Sequence, residues 1–444
     1  MSNIFFIISN LIFRPLLLAD YLAAVRNLKK STPELLEEQE KILRSVLISH
    51  AKNFSRFRPY LESLQSTTNS SIKNTIESLP VITKKDIRND TEISAPSLLK
   101  RLFAKKGKTG GSTGEPLQYW ISRRCARGAS VMLYRGWGYA GYKLGDKVAV
   151  LAGGSLVSHK PSLLDQIKAK INGLRKYSSY GVDDETFFQY ATDMKRWGAK
   201  YLRGYVSSVF EFARFIERSN VNIEFRAIFT TAEMLTDMQR EVIERVFRCP
   251  VYNNYGLNDG AITAFECSLH NGFHIDLERG YLEVVDENNK RVWDKPGRIL
   301  ATSLLNRVTP FVRYDTGDIG LMTRESCACG NPYPLLKNLS GRRTDTLKIN
   351  GKLIGSPVLT VLMSGTGVLR YQFIQENQDE LCVRISKGNN YSKKIEDYIK
   401  DSLFLHVGEF NLIFDYSENF EGDTAAGKWR VVVNRSMDKL EERN

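Results

Sequence analysis

Short apolar runs recur along the first three-quarters of the chain with amphipathic stretches between the earlier ones, and this alternation constrains the fold more than any other feature. Lys147–Leu151, Phe225–Thr230, Tyr281–Val285, Arg298–Thr302 and Phe311–Tyr314 have the length and composition of strands, while Asp184–Trp197 and Ser207–Arg218 repeat apolar residues at helical spacing. Such alternation predicts an α/β fold with helices layered on a sheet. Ser31-Thr32-Pro33-Glu34 reads as a capping box with Pro in the first turn, opening a helix that runs toward His50. After Gly341 the texture changes: short strands near Leu347–Ile349, Arg370–Gln375, Glu380–Ile385 and Glu409–Phe414 surround a helix at about Ser392–Leu403. A chain of 444 residues is long enough for two or three cores. We therefore expect an apolar and basic segment over 1–30, a large domain over 31–341 and a small α+β domain over 342–444.

The first thirteen residues carry no charged side chain. As a helix they would rise about 20 Å, short of a hydrocarbon core of about 30 Å, so spanning is not expected. Two readings stay open: an interfacial helix at the inner membrane surface, with Arg14, Arg26, Lys29 and Lys30 near headgroups, or a segment packed on the domain surface. Lys and Arg number 63 against 50 Asp and Glu, and a formal charge of +13 suits an anionic partner. Nucleic acid is not the expected one, because there is no zinc finger of usual spacing, RNP-type strand or long Lys/Arg block. Six cysteines are too sparse for a disulfide scaffold, and with no convincing secretory signature the expected location is a reducing cytoplasm.

The stretch Lys105 to Pro116 contains Thr109, Gly110, Gly111, Ser112, Thr113 and Gly114 behind Lys105, Lys106 and Lys108. Glycines let backbone amides close around phosphate oxygens, and the hydroxyls add donors. It is neither a Walker loop nor a dinucleotide fingerprint, and alone it would also pass for a surface turn. A second cluster is Cys267 and His274 with Cys327 and Cys329, the ligand types and count of a closed tetrahedral zinc site; His270 is the rival imidazole.

In their order these residues resemble the adenylate-forming superfamily, on its phenylacetate–CoA ligase and CapK-like branch. Thr109-Gly110-Gly111-Ser112-Thr113-Gly114-Glu115-Pro116 is similar to its nucleotide loop, and Leu79-Pro80-Val81-Ile82-Thr83-Lys84-Lys85-Asp86-Ile87 to its entry segment. Thr231-Ala232-Glu233 resembles the adenine-side loop, Tyr252 to Asp259 the Tyr-Gly loop, and Arg313-Tyr314-Asp315-Thr316-Gly317-Asp318 the ribose loop. Gly341-Arg342-Arg343-Thr344-Asp345 resembles the hinge and Gly427-Lys428 the late lysine. The likeness runs from about residue 28 to 435.

It implies a large amino-terminal domain of layered sheets and helices and a small, mobile carboxy-terminal α+β lid. The implied activity joins a carboxylic or amino acid to AMP with release of pyrophosphate. The acyl group then passes to coenzyme A or to an amine such as an amino sugar of a surface polysaccharide; both acceptors stay open. Lys428, Thr113 and Arg342 are the implied catalytic residues. Thr109, Gly110, Gly111, Ser112, Gly114, Ala232, Glu233, Asn254, Tyr255, Gly256, Asp259 and Asp318 are the implied ATP/AMP contacts. Magnesium is expected with ATP. The Cys/His set resembles a structural zinc cluster of the branch, expected to pin two loops beside the nucleotide cleft. Tyr205, Val206, Ser207, Thr230, Gly256 and Leu257 are expected near the acyl pocket. Departures from the pattern are Asp259 for the usual Glu, Thr344 for the hinge Asp and Gly110 for Ser. Thr344 and Asp259 favour the rival reading, a non-catalytic nucleotide-binding or assembly protein of polysaccharide biosynthesis; intact Asp318 and Lys428 oppose it.

Overall fold

The computed structural model describes the chain apart from residues 1, 95, 109–116, 153–170, 179–181, 220, 258–260, 340–345, 351, 356–358, 360–361, 364–365, 367, 378–379, 389–390, 418, 422–430 and 436–444. β1 (Ala104–Lys108) and β2 (Gln118–Ser122) pair antiparallel by themselves, and the centre of the fold is an eleven-stranded sheet. Five strands are parallel, in the order β4-β3-β5-β6-β7: β3 (Val148–Ala152), β4 (Leu174–Ser178), β5 (Tyr201–Tyr205), β6 (Ala227–Thr231) and β7 (Val251–Gly256). Six antiparallel strands continue it, β8 (Thr263–Glu266), β9 (Phe273–Ile275), β10 (Gly280–Val285), β11 (Pro296–Ser303), β12 (Tyr314–Met322) and β13 (Leu335–Lys337).

Apart from the edge strand β4, the parallel strands are largely buried on both faces, and their side chains alternate between two cores. Ala149, Leu151, Leu202 and Ile228 join a cluster with the helices Asp184–Trp197, Val206–Ser219 and Asp237–Phe247. Val148, Val150, Tyr201 and Phe229 face the helix Arg123–Gly138, whose Trp137 stacks on Phe229 at 5.1 Å. Each of these fully buried aromatics contributes on the order of 2–3 kcal/mol of burial. The antiparallel strands pack instead on the amino-terminal helix Thr32–Asn53, through Leu43 and Leu47. That helix opens with the expected capping box, Ser31 and Glu34 exchanging side-chain and backbone bonds. Before it come α1 (Ser2–Phe13) and α2 (Pro15–Asn27), which bury Phe6, Leu17 and Ala24 on the same core as Trp137. Among the described residues no helix is long and apolar enough to cross a membrane.

Leu347, Ile349, Phe373, Val383, Leu403 and Val432 belong to a separate cluster, to which the antiparallel pair β14 (Thr346–Ile349) and β15 (Lys352–Gly355) contributes. A four-stranded sheet there runs β18-β17-β16-β19, from β16 (Val368–Gln375), β17 (Glu380–Lys387), β18 (Asn411–Asp415) and β19 (Val432–Asn434). The helix Lys393–Val407 covers it with Ile399, Leu403 and Val407. The fold is thus α/β with a small carboxy-terminal α+β unit. One expected strand is displaced. Phe311 and Val312 lie outside the sheet, and β12 begins only at Tyr314, because Arg313 adopts a left-handed φ of 45° and turns its amide to the Thr302 hydroxyl at 2.9 Å.

Candidate active site and metal centre

In the parallel half, the order of connection reverses between β3 and β5, its neighbour. Crevices in open α/β sheets lie outside the carboxyl ends of strands at such a switch. The ends of β5, β6 and β7 there carry Tyr205, Thr231 and Asn254 in one row, since Tyr205 is registered with Thr231 and Thr231 with Asn254. Ala232 follows with φ 70°, a strained value for a residue with a Cβ, and swings the chain out of the sheet. Glu233 then binds the start of the helix Val206–Ser219, accepting from the Ser207 amide at 2.7 Å and its hydroxyl at 3.0 Å. Both carboxylate oxygens are engaged, so Glu233 ties the β6 loop to the β5 loop.

Asn254 Oδ1 and Arg203 Nε, on this face of the sheet, are among the buried polar atoms that have no partner among the described residues. Asn254 is buried, and its Oδ1 accepts from nothing. Arg203, one row deeper on β5, has a sealed Nε without a partner, and its guanidinium lies 5.8 Å from the Trp137 ring. Burial lowers the pKa of Arg203. Orphaned polar groups inside a protein are costly, which makes them candidates for ligand contact.

The segment Arg313–Asp318 reaches the same ends from the other half of the sheet, and each residue has a distinct task. Arg313 is buried and donates to the backbone oxygens of Glu77 at 2.9 Å, Leu79 at 3.0 Å and Asn289 at 2.7 Å, with Glu283 as its ion-pair partner. Ile82 bridges to Tyr314 in register, so the entry segment is fastened to this loop. Asp315 pairs with Arg298 at 2.6 Å, and Thr316 donates to the Ile299 oxygen at 2.9 Å. Gly317 takes φ 77° with open space around a would-be Cβ, so conformation and not crowding calls for glycine. The turn presents Asp318, whose Oδ2 accepts from the Tyr255 hydroxyl at 2.8 Å.

Gly280 on β10 secures the approach of these strands, since a Cβ there would stand 1.9 Å from the Ala261 oxygen. Buried charge holds the frame. Arg135 reaches Asp276 at 2.5 Å, Glu278 at 2.7 Å and the Tyr333 hydroxyl at 2.5 Å, joining the helix Arg123–Gly138 to the strand half. Sequence reading missed this network; the only signal was an arginine on the apolar face of a helix.

Thr109, Gly110, Gly111, Ser112, Thr113, Gly114, Asp259, Arg342 and Lys428 lie outside the described residues, as do Thr344 and Asp345. Of the anticipated contacts the structure brings Tyr255 and Asp318 into direct contact and sets Ala232, Glu233, Asn254 and Gly256 at the adjacent strand ends.

The ligand atoms of Cys267, His274, Cys327 and Cys329 all lie within 4.8 Å of one another. The Cys267 and Cys327 sulfurs are 3.8 Å apart, and the Cys329 sulfur is 3.4 Å from His274 Nε2. Tetrahedral zinc, with Zn–S of about 2.3 Å and Zn–N of about 2.0 Å, separates such pairs by about 3.8 and 3.5 Å. His274 Nδ1 faces the Tyr333 backbone oxygen at 3.0 Å, the second-shell bond that aims Nε2 at a metal. Burial and the neighbouring thiols push Cys267 up to about 12 in the absence of a cation. The donor set therefore fits zinc. His270 is not a ligand: its Nδ1 lies 3.2 Å from both Glu266 and Arg240. The expected position is corrected. Gly256 is registered with Thr263 and Asn254 with Phe265, so antiparallel β8 carries Cys267 about 13 Å along the strand axis from Gly256, to the opposite end of the sheet from Tyr255 and Asp318.

Comparison with known proteins agrees with this architecture. Residues 345–435 match the model of the CapK C-terminal domain. The chain is 27% identical over 385 residues to protein CapK of Staphylococcus aureus, covering 81% of this chain and 80% of that one. It is 28% identical over 174 residues to phenylacetate–coenzyme A ligase of Thermus thermophilus, covering 37% and 39% of the two. Its fold is similar to 2-hydroxyisobutyryl-CoA ligase in the postadenylation state with 2-HIB-AMP, with a TM-score of 0.70 at 19% identity over 91% of this chain and 92% of that chain. It is also similar to o-succinylbenzoate CoA synthetase of Bacillus subtilis with its acyl-adenylate, with a TM-score of 0.52 at 16% identity over 73% of this chain and 67% of that one.

Proposed function

We propose that this chain, which belongs with the CapK and phenylacetate–CoA ligase-like proteins of the adenylate-forming superfamily, activates a carboxylic acid with ATP. The observation that carries the reading is the Tyr255–Asp318 contact, which joins two separately recognised loops at the strand ends where Asn254 Oδ1 has no partner among the described residues. A nucleoside fits there, its base against Tyr255 and Asn254 and its ribose hydroxyls donating to Asp318. The acid oxygen attacks the α-phosphorus, the bond to the β-phosphate oxygen breaks, and pyrophosphate leaves. Charge accumulates between the two anions, so cations and amide donors are needed at that point. In this reading the loop 109–114 holds the phosphates, with Thr113 donating to them. Lys428 and Arg342 bring positive charge to the junction between acid and phosphate. Magnesium enters as the counter-ion of ATP, with Asp259 toward it.

The division at 341 gives these roles a physical basis, because Lys428 belongs to the carboxy-terminal unit that would close over the strand ends and turn away for transfer. The second half-reaction delivers the acyl group to a thiol, as in the coenzyme A ligases of this fold, or to an amine such as an amino sugar. Zinc, when held by Cys267, His274, Cys327 and Cys329, has a full set of protein ligands and no open position for water, so its contribution is structural. The test is ATP–pyrophosphate exchange over amino, aryl and aliphatic acids, followed by transfer to coenzyme A or amino sugars. Exchange with at least one acid, lost in Lys428→Ala while ATP binding persists, is the expected result. ATP binding with no exchange over the whole panel would favour the non-catalytic nucleotide-binding reading instead.

A further inference from the structure

We infer that the outward faces of α1 and α2 form a peripheral anchor for a bilayer containing anionic phospholipid. The inner stripe of α1 is accounted for: Phe6, Ser9 and Asn10 are buried, and Phe6 meets the Tyr134 ring edge-on at 6.2 Å. One helical step around, Ile7, Ile8 and Leu11 are 38%, 51% and 52% exposed. The next helix repeats the arrangement. Leu17 and Ala24 face the core, while Leu16 and Leu22 stand 59% and 46% exposed beside exposed Ala19 and Ala23. Five large aliphatic side chains on two consecutive helices thus form one outward apolar band, more than scattered surface leucines would give.

The helices are built into the protein. Asn27 at the end of α2 donates to Glu278 at 2.8 Å, inside the Arg135 network, and Asp20 pairs with Arg127 at 2.6 Å. That second pair also neutralises the only acidic side chain on α1 and α2. Exposed Arg14, between the helices, and exposed Arg26 and Lys29, near the end of α2, then give the band a positive border, and none of the three makes an ion pair among the described residues. An uncharged apolar strip with a cationic rim matches a leaflet whose acyl region lies beneath anionic headgroups. The same charges argue against a second copy as the occupant, because a two-fold contact would oppose this cationic border to itself on a chain of net charge +13. α1 has 12 residues and rises about 18 Å, so it lies in the interface and does not cross it.

Flotation of the full chain with vesicles tests the anchor without reference to the chemistry. Phosphatidylcholine vesicles with and without phosphatidylglycerol, at low and high salt, are compared for the native chain, Ile8→Glu/Leu11→Glu and Arg14→Glu/Arg26→Glu. Circular dichroism and Tm confirm that each variant is folded. The native chain is expected to partition at least about tenfold more strongly onto anionic vesicles, and each double variant to lose about tenfold or more. Solvent-side substitutions at Ile7 and Leu22 to Ser provide a milder pair, expected to weaken binding severalfold, should the glutamates disturb folding. No binding of the native chain to anionic vesicles, or equal binding by all variants, overturns the proposal. So does a native dimer that the apolar variants convert to monomer without any vesicle binding.

Discussion

Asp318 and Tyr255 are 63 positions apart, and their hydrogen bond is the most direct link between two segments that sequence could only recognise separately. A hydrogen bond to a charged acceptor is worth about 1.5–3 kcal/mol, so Asp318→Asn should lower ATP–pyrophosphate exchange about ten- to hundredfold, mainly through KM for ATP, with little change in Tm. Tyr255→Phe removes one donor to the same carboxylate and should cost less, about severalfold. Arg203 makes a second residue-scale prediction. A guanidinium whose Nε has no partner among the described residues, one row below the strand ends, would reward an acid carrying a second anionic group. In the exchange panel such acids should be preferred, and Arg203→Leu should reduce their turnover about tenfold while sparing neutral monocarboxylic acids. Equal losses for both kinds of acid would instead make Arg203 a packing residue beside Trp137.

Elements, not single residues, carry the metal centre. β9 and β13 pair His274 with Leu335, and the loop between β12 and β13 brings Cys327 and Cys329 back to Cys267. Because this clamp stands at the far end of the sheet from Asp318, Cys327→Ser or chelation should act on stability first. The bound zinc should fall from about one equivalent, and Tm should drop by more than about 5 °C, with exchange by the surviving folded protein near normal. The helix Thr32–Asn53 offers a pH test. Its His50 is buried beside Phe54 and Phe57, and burial, aided by Arg307 and Lys100, pushes the imidazole down from 6.5 to about 3. The unfolded chain therefore takes up a proton near pH 6.5 that the native chain refuses until about pH 3. This contribution to stability is fully present above pH 6.5 and is lost as pH falls toward 3, at about 1.4 kcal/mol per unit. Denaturant titrations should show that slope between pH 6 and 4, and His50→Leu should flatten it.

At the scale of the whole molecule, the proposed chemistry needs two placements of the carboxy-terminal unit, one for adenylation and one for transfer. Thr344 stands at the proposed pivot, in place of the acid that the resemblance to the adenylate-forming superfamily implies there. Thr344→Pro restricts the backbone there and should leave pyrophosphate exchange within about threefold of normal while lowering acyl transfer by about tenfold or more. Equal loss of both half-reactions would point to misfolding or to a pivot elsewhere, and unchanged transfer would remove the rotation from the mechanism.

How much was legible in advance follows from which forces are local. Asp184–Trp197 forms a helix over the range its periodicity predicts, and the Ser31–Glu34 cap forms as written, because both depend on residues within one or two turns. The order of the loop motifs was equally legible, since each rests on residues at adjacent positions; Thr316, Gly317 and Asp318 do form one tight turn, and its role toward ribose belongs to the proposal. Register and distance were not readable. The displaced start of β12 depends on a left-handed Arg313 held by three carbonyls from other segments. His274 wins over His270 because only the former is turned toward the thiols, and the cluster lies away from the strand ends because β8 runs antiparallel to β7. Composition and local pattern determined which elements form and which reactive and ligand-type groups the chain carries. Only long-range pairing, whose entropy cost is met collectively by the finished core, decided which of those groups face one another.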